Sequence, residues 1–339
     1  FIAFLQAASH ESEQYQREIE LIINGDFLAF LQVPAVDTYD SQETYPVAVF
    51  QDSSQEASLK RLEIIVATNA AIFEALVDFI QVEAPQRRLT IIKGNHDMSL
   101  FWPGIKNRLR ELLGASGKRA SLLRFADEFV SREQIYVEHG HQRAEKMNGY
   151  QDSFDPRDEQ DLTQLHYPAG SRFIIDFLNQ AKARWWFVDH VKPVTTLIWY
   201  AFKWNFDFAC QALASFIRHT PALVVSNYQM GSQLPPSTEL FLRELEDPRQ
   251  RQSLFQQYSD NAIFRQEFHR QVQQYLDDAT VDNRGETHWP FLDISDDPIA
   301  MGQADQKRQH TMLEHAAHQI AGQEGALVIV FGHTHHPTQ

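Results

Sequence analysis

Leu89-Thr90-Ile91-Ile92-Lys93-Gly94-Asn95-His96-Asp97 decides how this chain is read. Four aliphatic or β-branched residues make a short buried strand, and a glycine ends it. Three side chains able to bind a cation or move a proton follow at once. The pattern recurs along the chain. Leu21-Ile22-Ile23 runs into Asn24-Gly25-Asp26, and Ile135-Tyr136-Val137-Glu138 runs into His139-Gly140-His141. Ala326-Leu327-Val328-Ile329-Val330-Phe331 runs into Gly332-His333-Thr334-His335. Asp, Asn and His are thereby set at the C-terminal ends of strands, where open α/β sheets build their sites. Oxygen and imidazole donors without thiolates suit a pair of divalent ions, manganese first, with iron, zinc or magnesium as alternatives. Two ions side by side serve displacement at phosphorus.

Each segment has a plainer reading. Asn24-Gly25-Asp26 alone is a common turn, but its place in the series makes Asp26 the natural carboxylate bridge between two ions. Asn95 offers a neutral carbonyl oxygen to a cation. His96 can donate a proton to developing charge, and Asp97 can hold that imidazole in one tautomer. Taken singly, His139 would be a structural residue; beside Gly140 and within the series it becomes a ligand. His141 is left as a supporting or cleft residue. His333 and His335, two apart in a loop, can face two adjacent ions, and His336 is assigned to solvent. Pro168-Ala169-Gly170-Ser171-Arg172 opens a helix whose N–H groups and Arg172 guanidinium could take a substrate phosphate. The plain alternative there is a helix cap with a surface Arg.

The bulk composition bounds the function. A length of 339 residues suits one large α/β domain with an insertion. Thirty Lys and Arg against 45 Asp and Glu give a net charge of −15, which argues against nucleic acid as a partner. The single cysteine, Cys210, cannot form an internal disulfide, so a reducing, cytoplasmic compartment is expected. Phe1 to Gln6 reads as a helix already under way, and the chain stops just after His335, so both ends are expected to belong to a longer protein.

Helical spacing is expected over residues 1–20, 59–83, 104–116 and 305–321, with a long loop over 32–58. The alternation of strand and helix implies a mainly parallel sheet. The catalytic domain is placed at 1–141 and 305–339, and a helical, aromatic-rich insertion or lid at 142–304. Its greasiest stretch, 194–217, is broken by Lys203, Asn205 and Asp207 and falls short of a membrane span. It reads either as a buried lid helix or as an amphipathic helix touching the inner face of a membrane or a lipid substrate.

The four motifs in this order resemble the calcineurin-like metallophosphoesterase superfamily. The resemblance covers roughly residues 1–141 and 305–337. It implies an α-β-β-α sandwich with a dinuclear centre. Asp26 would bridge the ions, Asn95, His139 and His333 would hold one, and His335 would hold the other. A water between them would be the nucleophile, and His96, oriented by Asp97, would assist the transition state. The family's first motif, Asp-x-His, is expected upstream of Phe1. The second acid of its Gly-Asp-x-x-Asp is replaced here by Ala29, and the strands that follow its last motif are missing. The helical insertion resembles the lid of UDP-2,3-diacylglucosamine hydrolases. The implied substrate is a phosphorylated small molecule or lipid, cleaved at a phosphodiester, pyrophosphate or phosphomonoester. The competing readings are a nucleotide or cyclic-nucleotide phosphodiesterase and a catalytically inactive scaffold on the same fold.

Overall fold

The computed structural model describes residues 1–127, 129–143, 146–150, 152, 154–191, 193–219, 236–280 and 292–333. The chain is mixed α/β, with two small sheets and many helices. It divides into two compact units. Phe1–Gly140, Tyr150–Tyr167 and Ile320–His333 form the first, and the described residues of His141–Gly149 and Pro168–Gln319 form the second.

This division departs from the expected boundaries at 141 and 305. Residues 150–167 belong with the first unit because Gln164 and Leu165 are hydrogen-bonded to Ser53 there. The Ser53 N–H and hydroxyl both donate to Gln164 Oε1, at 2.7 and 2.8 Å, and the Leu165 N–H donates to Ser53 Oγ at 2.7 Å. At the other end, the helix expected at 305–321 starts earlier and runs over Pro298–Glu324. Asp305 on this helix accepts hydrogen bonds from Thr195 and Thr196, which places 305–319 in the second unit.

In the first unit, β1 (Ile19–Asn24), β2 (Arg87–Ile92) and β3 (Leu123–Ala126) form a parallel sheet with β2 in the middle. Leu89, Ile91 and Ile92 are fully buried, as a central parallel strand covered on both faces requires. The second sheet contains β4 (Phe129–Arg132), β5 (Ile135–Glu138) and β6 (Val328–Phe331). β4 and β5 pair antiparallel, and Glu133 and Gln134 between them both have positive φ, as a tight hairpin turn demands. β5 and β6 pair parallel. Adjacent residues of β5 face opposite ways. Val137 packs with Ile22, Ile92 and Ala126 of the first sheet, while Tyr136 packs with Ile320 and Ala326 on the other side.

The helix expected over 59–83 is two helices, Gln55–Thr68 and Ala70–Gln81. They part at Asn69, whose side chain and backbone N–H both donate back to the Ile65 carbonyl. The long polar loop before them is not formless. Arg61 is buried and donates to the carbonyls of Val33, Val49, Phe50 and Asp52, and Ala48–Gln51 forms one helical turn. Burial pushes the Arg61 pKa below the usual arginine range.

The second unit is helical in the residues described. The greasy stretch at 194–217 is broken at Asn205 into helices Val194–Trp204 and Phe206–His219. Leu197, Ile198, Trp199, Phe202, Phe208 and Phe216 are all buried and serve the protein's own core, whereas Trp204 at the end of the first of these helices is 40% exposed. Among the described residues, no helix is long and apolar enough to cross a membrane.

Candidate metal centre

The ends of β1, β2, β5 and β6 bring four of the expected residues together. β1 stops at Asn24, and Gly25 and Asp26 follow with φ of 74° and 51°. The left-handed turn is cheap for glycine and costs Asp26 strain, which the surrounding contacts must hold. Two glycines make room for it. A Cβ on Gly94 would collide with the Asp26 carboxylate and backbone nitrogen, and a Cβ on Gly25 would collide with the His139 ring. Asp26 Oδ1 accepts the backbone N–H of His96 at 3.0 Å, leaving Oδ2 at 3.3 Å from His139 Nε2.

His139 follows β5 directly and is buried. Its Nδ1 lies 2.9 Å from the Asn24 carbonyl, and its Nε2 lies 3.2 Å from Asn95 Oδ1. A carbonyl opposite Nδ1 assigns the proton of the neutral ring to that nitrogen, which turns the Nε2 lone pair toward two oxygens. Three electron-rich atoms meeting at one point repel unless a proton or a cation stands among them. The protonation balance of His139 reflects this. Burial disfavours the imidazolium, but the Asp26 carboxylate, the Asn24 carbonyl and Asp97 outweigh it and raise the pKa above the ordinary 6.5.

His333, after β6, completes the cluster. Its backbone N–H and that of Gly332 both donate to the His139 carbonyl, at 2.9 and 3.0 Å. Its ring stands edge-on to His139 with centroids 5.3 Å apart. Donor atoms of Asp26, His139 and His333 lie within 4.8 Å of one another. Carboxylate, amide oxygen and imidazole converging in a buried spot form a donor set that fits a divalent cation.

Asp97 has a different role from the one expected. Its two oxygens accept the N–H groups of Phe27 and Leu28, at 2.9 and 2.8 Å, instead of holding the His96 imidazole. It therefore braces the strained turn that carries Asp26. Full burial, and then the nearby Asp26 charge, push its pKa from 3.8 to about 6. His96 is buried beside this turn. Arg172 lies in the second unit, exposed, on the short helix Ala169–Phe173. Gly170 there is fixed by packing, since a Cβ would collide with Asn148 and approach the Met147 carbonyl. His141 is buried and belongs to the second unit. His335 and the neighbouring His336 lie outside the described residues.

Two further residues shape the site. The Asn24 side chain donates to the carbonyls of Glu138 in β5 at 3.1 Å and Val330 in β6 at 3.4 Å, joining three strand ends. Its position between a strand and Gly25 was the available signal. Tyr150 donates its hydroxyl to the Asn95 carbonyl at 3.3 Å, and no motif marks it in the sequence. In comparisons with known proteins, no family model, no curated protein and no solved structure matches this chain.

Proposed function

We propose that this chain is a metal-dependent phosphoesterase of the calcineurin-like type, acting through two divalent ions on a phosphodiester, pyrophosphate or phosphomonoester. The observation that carries the reading is the convergence of Asp26 Oδ2, Asn95 Oδ1 and His139 Nε2, with His333 in the same buried cluster. Two sheets packed through Ile22, Ile92, Ala126 and Val137 also suit the α-β-β-α sandwich of that type. Asp26, Asn95, His139 and His333 would hold metal, with His335 as a further ligand.

Divalent ions held there supply a Lewis acid for the phosphoryl oxygens and acidify a water toward a pKa of about 7. The chain's own residues do the rest. The Asn24 carbonyl fixes the His139 tautomer, so that Nε2 points inward without rotation when metal enters. Asp97 holds the Asp26 turn, and the Asp26 carboxylate holds the backbone of His96. His96 then donates a proton or hydrogen bond to the charge that develops on the phosphoryl or leaving oxygen.

The test is hydrolysis of bis-p-nitrophenyl phosphate by the chain with added manganese, beside His96→Ala and His139→Ala. His96→Ala is expected to keep metal and lose about 10²- to 10⁴-fold in rate. His139→Ala is expected to lose metal as well. Full activity in both variants, or in wild type stripped of metal, would sink the proposal.

A further inference from the structure

Trp186 is 74% exposed, among the most solvent-facing of the large apolar side chains. A single exposed apolar residue needs no explanation, but a contiguous patch does. Trp186 packs against Phe187, with centroids 6.1 Å apart, and Phe187 against Trp204 at 5.7 Å. Trp204, itself 40% exposed, packs against Trp185 at 5.7 Å. The Arg184 guanidinium covers the Trp185 ring at 4.8 Å, and Lys203 is exposed beside Trp204 in the chain. Buried Phe208 supports Trp185 and Trp204 from beneath, at 4.6 and 5.1 Å. Trp185 and Trp204 are therefore backed by the core, while Trp186 stands out from it against Phe187 and His190.

The charge of this region is opposite to that of the chain. Residues 182–204 contain Lys182, Arg184, Lys192 and Lys203 against Asp189 alone, in a protein of net charge −15. Tryptophan favours the headgroup level of a bilayer, where its apolar ring and polar N–H are both accommodated. Basic side chains beside it gain from an anionic surface, while the acidic remainder is repelled from it. That combination orients a molecule as well as attracting it.

We infer that the patch formed by Arg184, Trp185, Trp186, Phe187, Lys203 and Trp204 docks this chain on an anionic lipid surface. The contact is at headgroup depth. It narrows the expected membrane contact within 194–217 to the exposed Lys203 and Trp204 and adds residues 184–187 to it. It is independent of any chemistry at His139.

The experiment is co-sedimentation of the whole chain with phosphatidylglycerol–phosphatidylcholine vesicles and with phosphatidylcholine alone. Binding is expected only to the anionic vesicles. It should fall about tenfold or more between 0.1 and 1 M salt, as the screening length shrinks from ~10 to ~3 Å. The pair Trp186→Ser and Trp204→Ser, and separately the pair Arg184→Gln and Lys203→Gln, should each lower vesicle partition by about tenfold. Ile263→Ser, removing an exposed apolar residue elsewhere, should leave it unchanged. The Arg184 and Lys203 pair carries the test if the tryptophan pair loses its fold by circular dichroism. Equal binding to neutral vesicles, absence of binding, or wild-type partition in the basic-residue pair would overturn the inference. So would self-association abolished by Trp186→Ser, since the patch would then be a protein interface.

Discussion

Gly94 and Gly25 set the tolerance of the site at the residue scale. A methyl group at Gly94 has no room except by displacing the Asp26 turn. Gly94→Ala is therefore expected to weaken manganese binding by about tenfold to a hundredfold, as loss of a ligand's support does, while far-ultraviolet circular dichroism stays unchanged. Isothermal titration checks it, and wild-type affinity would show that the turn can move. Asp97 and His139 give the site its pH dependence. Both bind a proton more tightly folded than unfolded, so each favours the metal-free fold in acid. The contribution of Asp97 is lost as pH rises from about 4 to 6, and that of His139 as pH climbs past 6.5 through its folded pKa. The stability of metal-free wild type minus that of Asp97→Asn should thus fall between pH 4 and pH 7 in urea titrations. A difference that rises instead would mean Asp97 is stabilised as the carboxylate. On the proposed function a cation would replace the proton at His139 Nε2, so manganese affinity should grow by up to about tenfold per pH unit below the His139 pKa. At this scale the meeting of Asp26, Asn95, His139 and His333 in one place was legible, because a glycine beside Asp, Asn or His after an apolar strand is a local signal. The role of Asp97 was not, since its partners Phe27 and Leu28 are 70 and 69 residues away.

Elements were legible where period and length agreed. β1, β2, β5 and β6 follow from short aliphatic runs. β4 has no such run and exists through the Glu133-Gln134 turn that folds it onto β5. Asn69 and Asn205 each divide a continuous apolar pattern, because an Asn side chain can satisfy helix-end groups without interrupting the hydrophobic face. Asn205 accepts the Phe208 N–H at 3.0 Å and so caps the following helix. Asn205→Ala should cost about 1 kcal/mol by denaturant unfolding. Arg61 matters more, since four backbone carbonyls depend on one guanidinium. Arg61→Met should cost about 3 kcal/mol or more and speed amide exchange across 33–52, the segment it ties down. Unchanged exchange there would mean that the loop is held by other contacts. Nothing in the sequence distinguishes this arginine from the surface ones; only long-range packing does.

For the whole molecule, the alternation of strand and helix along the sequence correctly implied a mixed α/β chain, but not how the chain is shared between its two units. Residues 150–167 return to the first unit through Ser53, a contact across 111 residues that no local pattern announces. The metal reading makes a prediction at this scale. Stripping metal with a chelator should raise hydrogen exchange at the ends of β1, β5 and β6, in the first unit. Helix Phe206–His219, in the second, should be little affected. Uniform loosening of both would place the metal's influence elsewhere than at Asp26, His139 and His333.

Asn24 followed by Gly25 is also a chemical clock. An asparagine before a glycine is prone to cyclise onto the next backbone nitrogen and reopen as an acid, one reason asparagine is a heat-labile residue. Here the amide is held by two carbonyls, and the glycine is locked in a left-handed turn against His139, so the folded chain resists the attack. Each excursion to a locally open state removes that protection. Once converted, the new carboxylate would face the carbonyls of Glu138 and Val330 and push the strand ends apart. Ageing of stored protein should therefore register first as lost metal affinity, with the added mass of a single deamidation in the peptide holding Asn24, well before the rest of the fold fails.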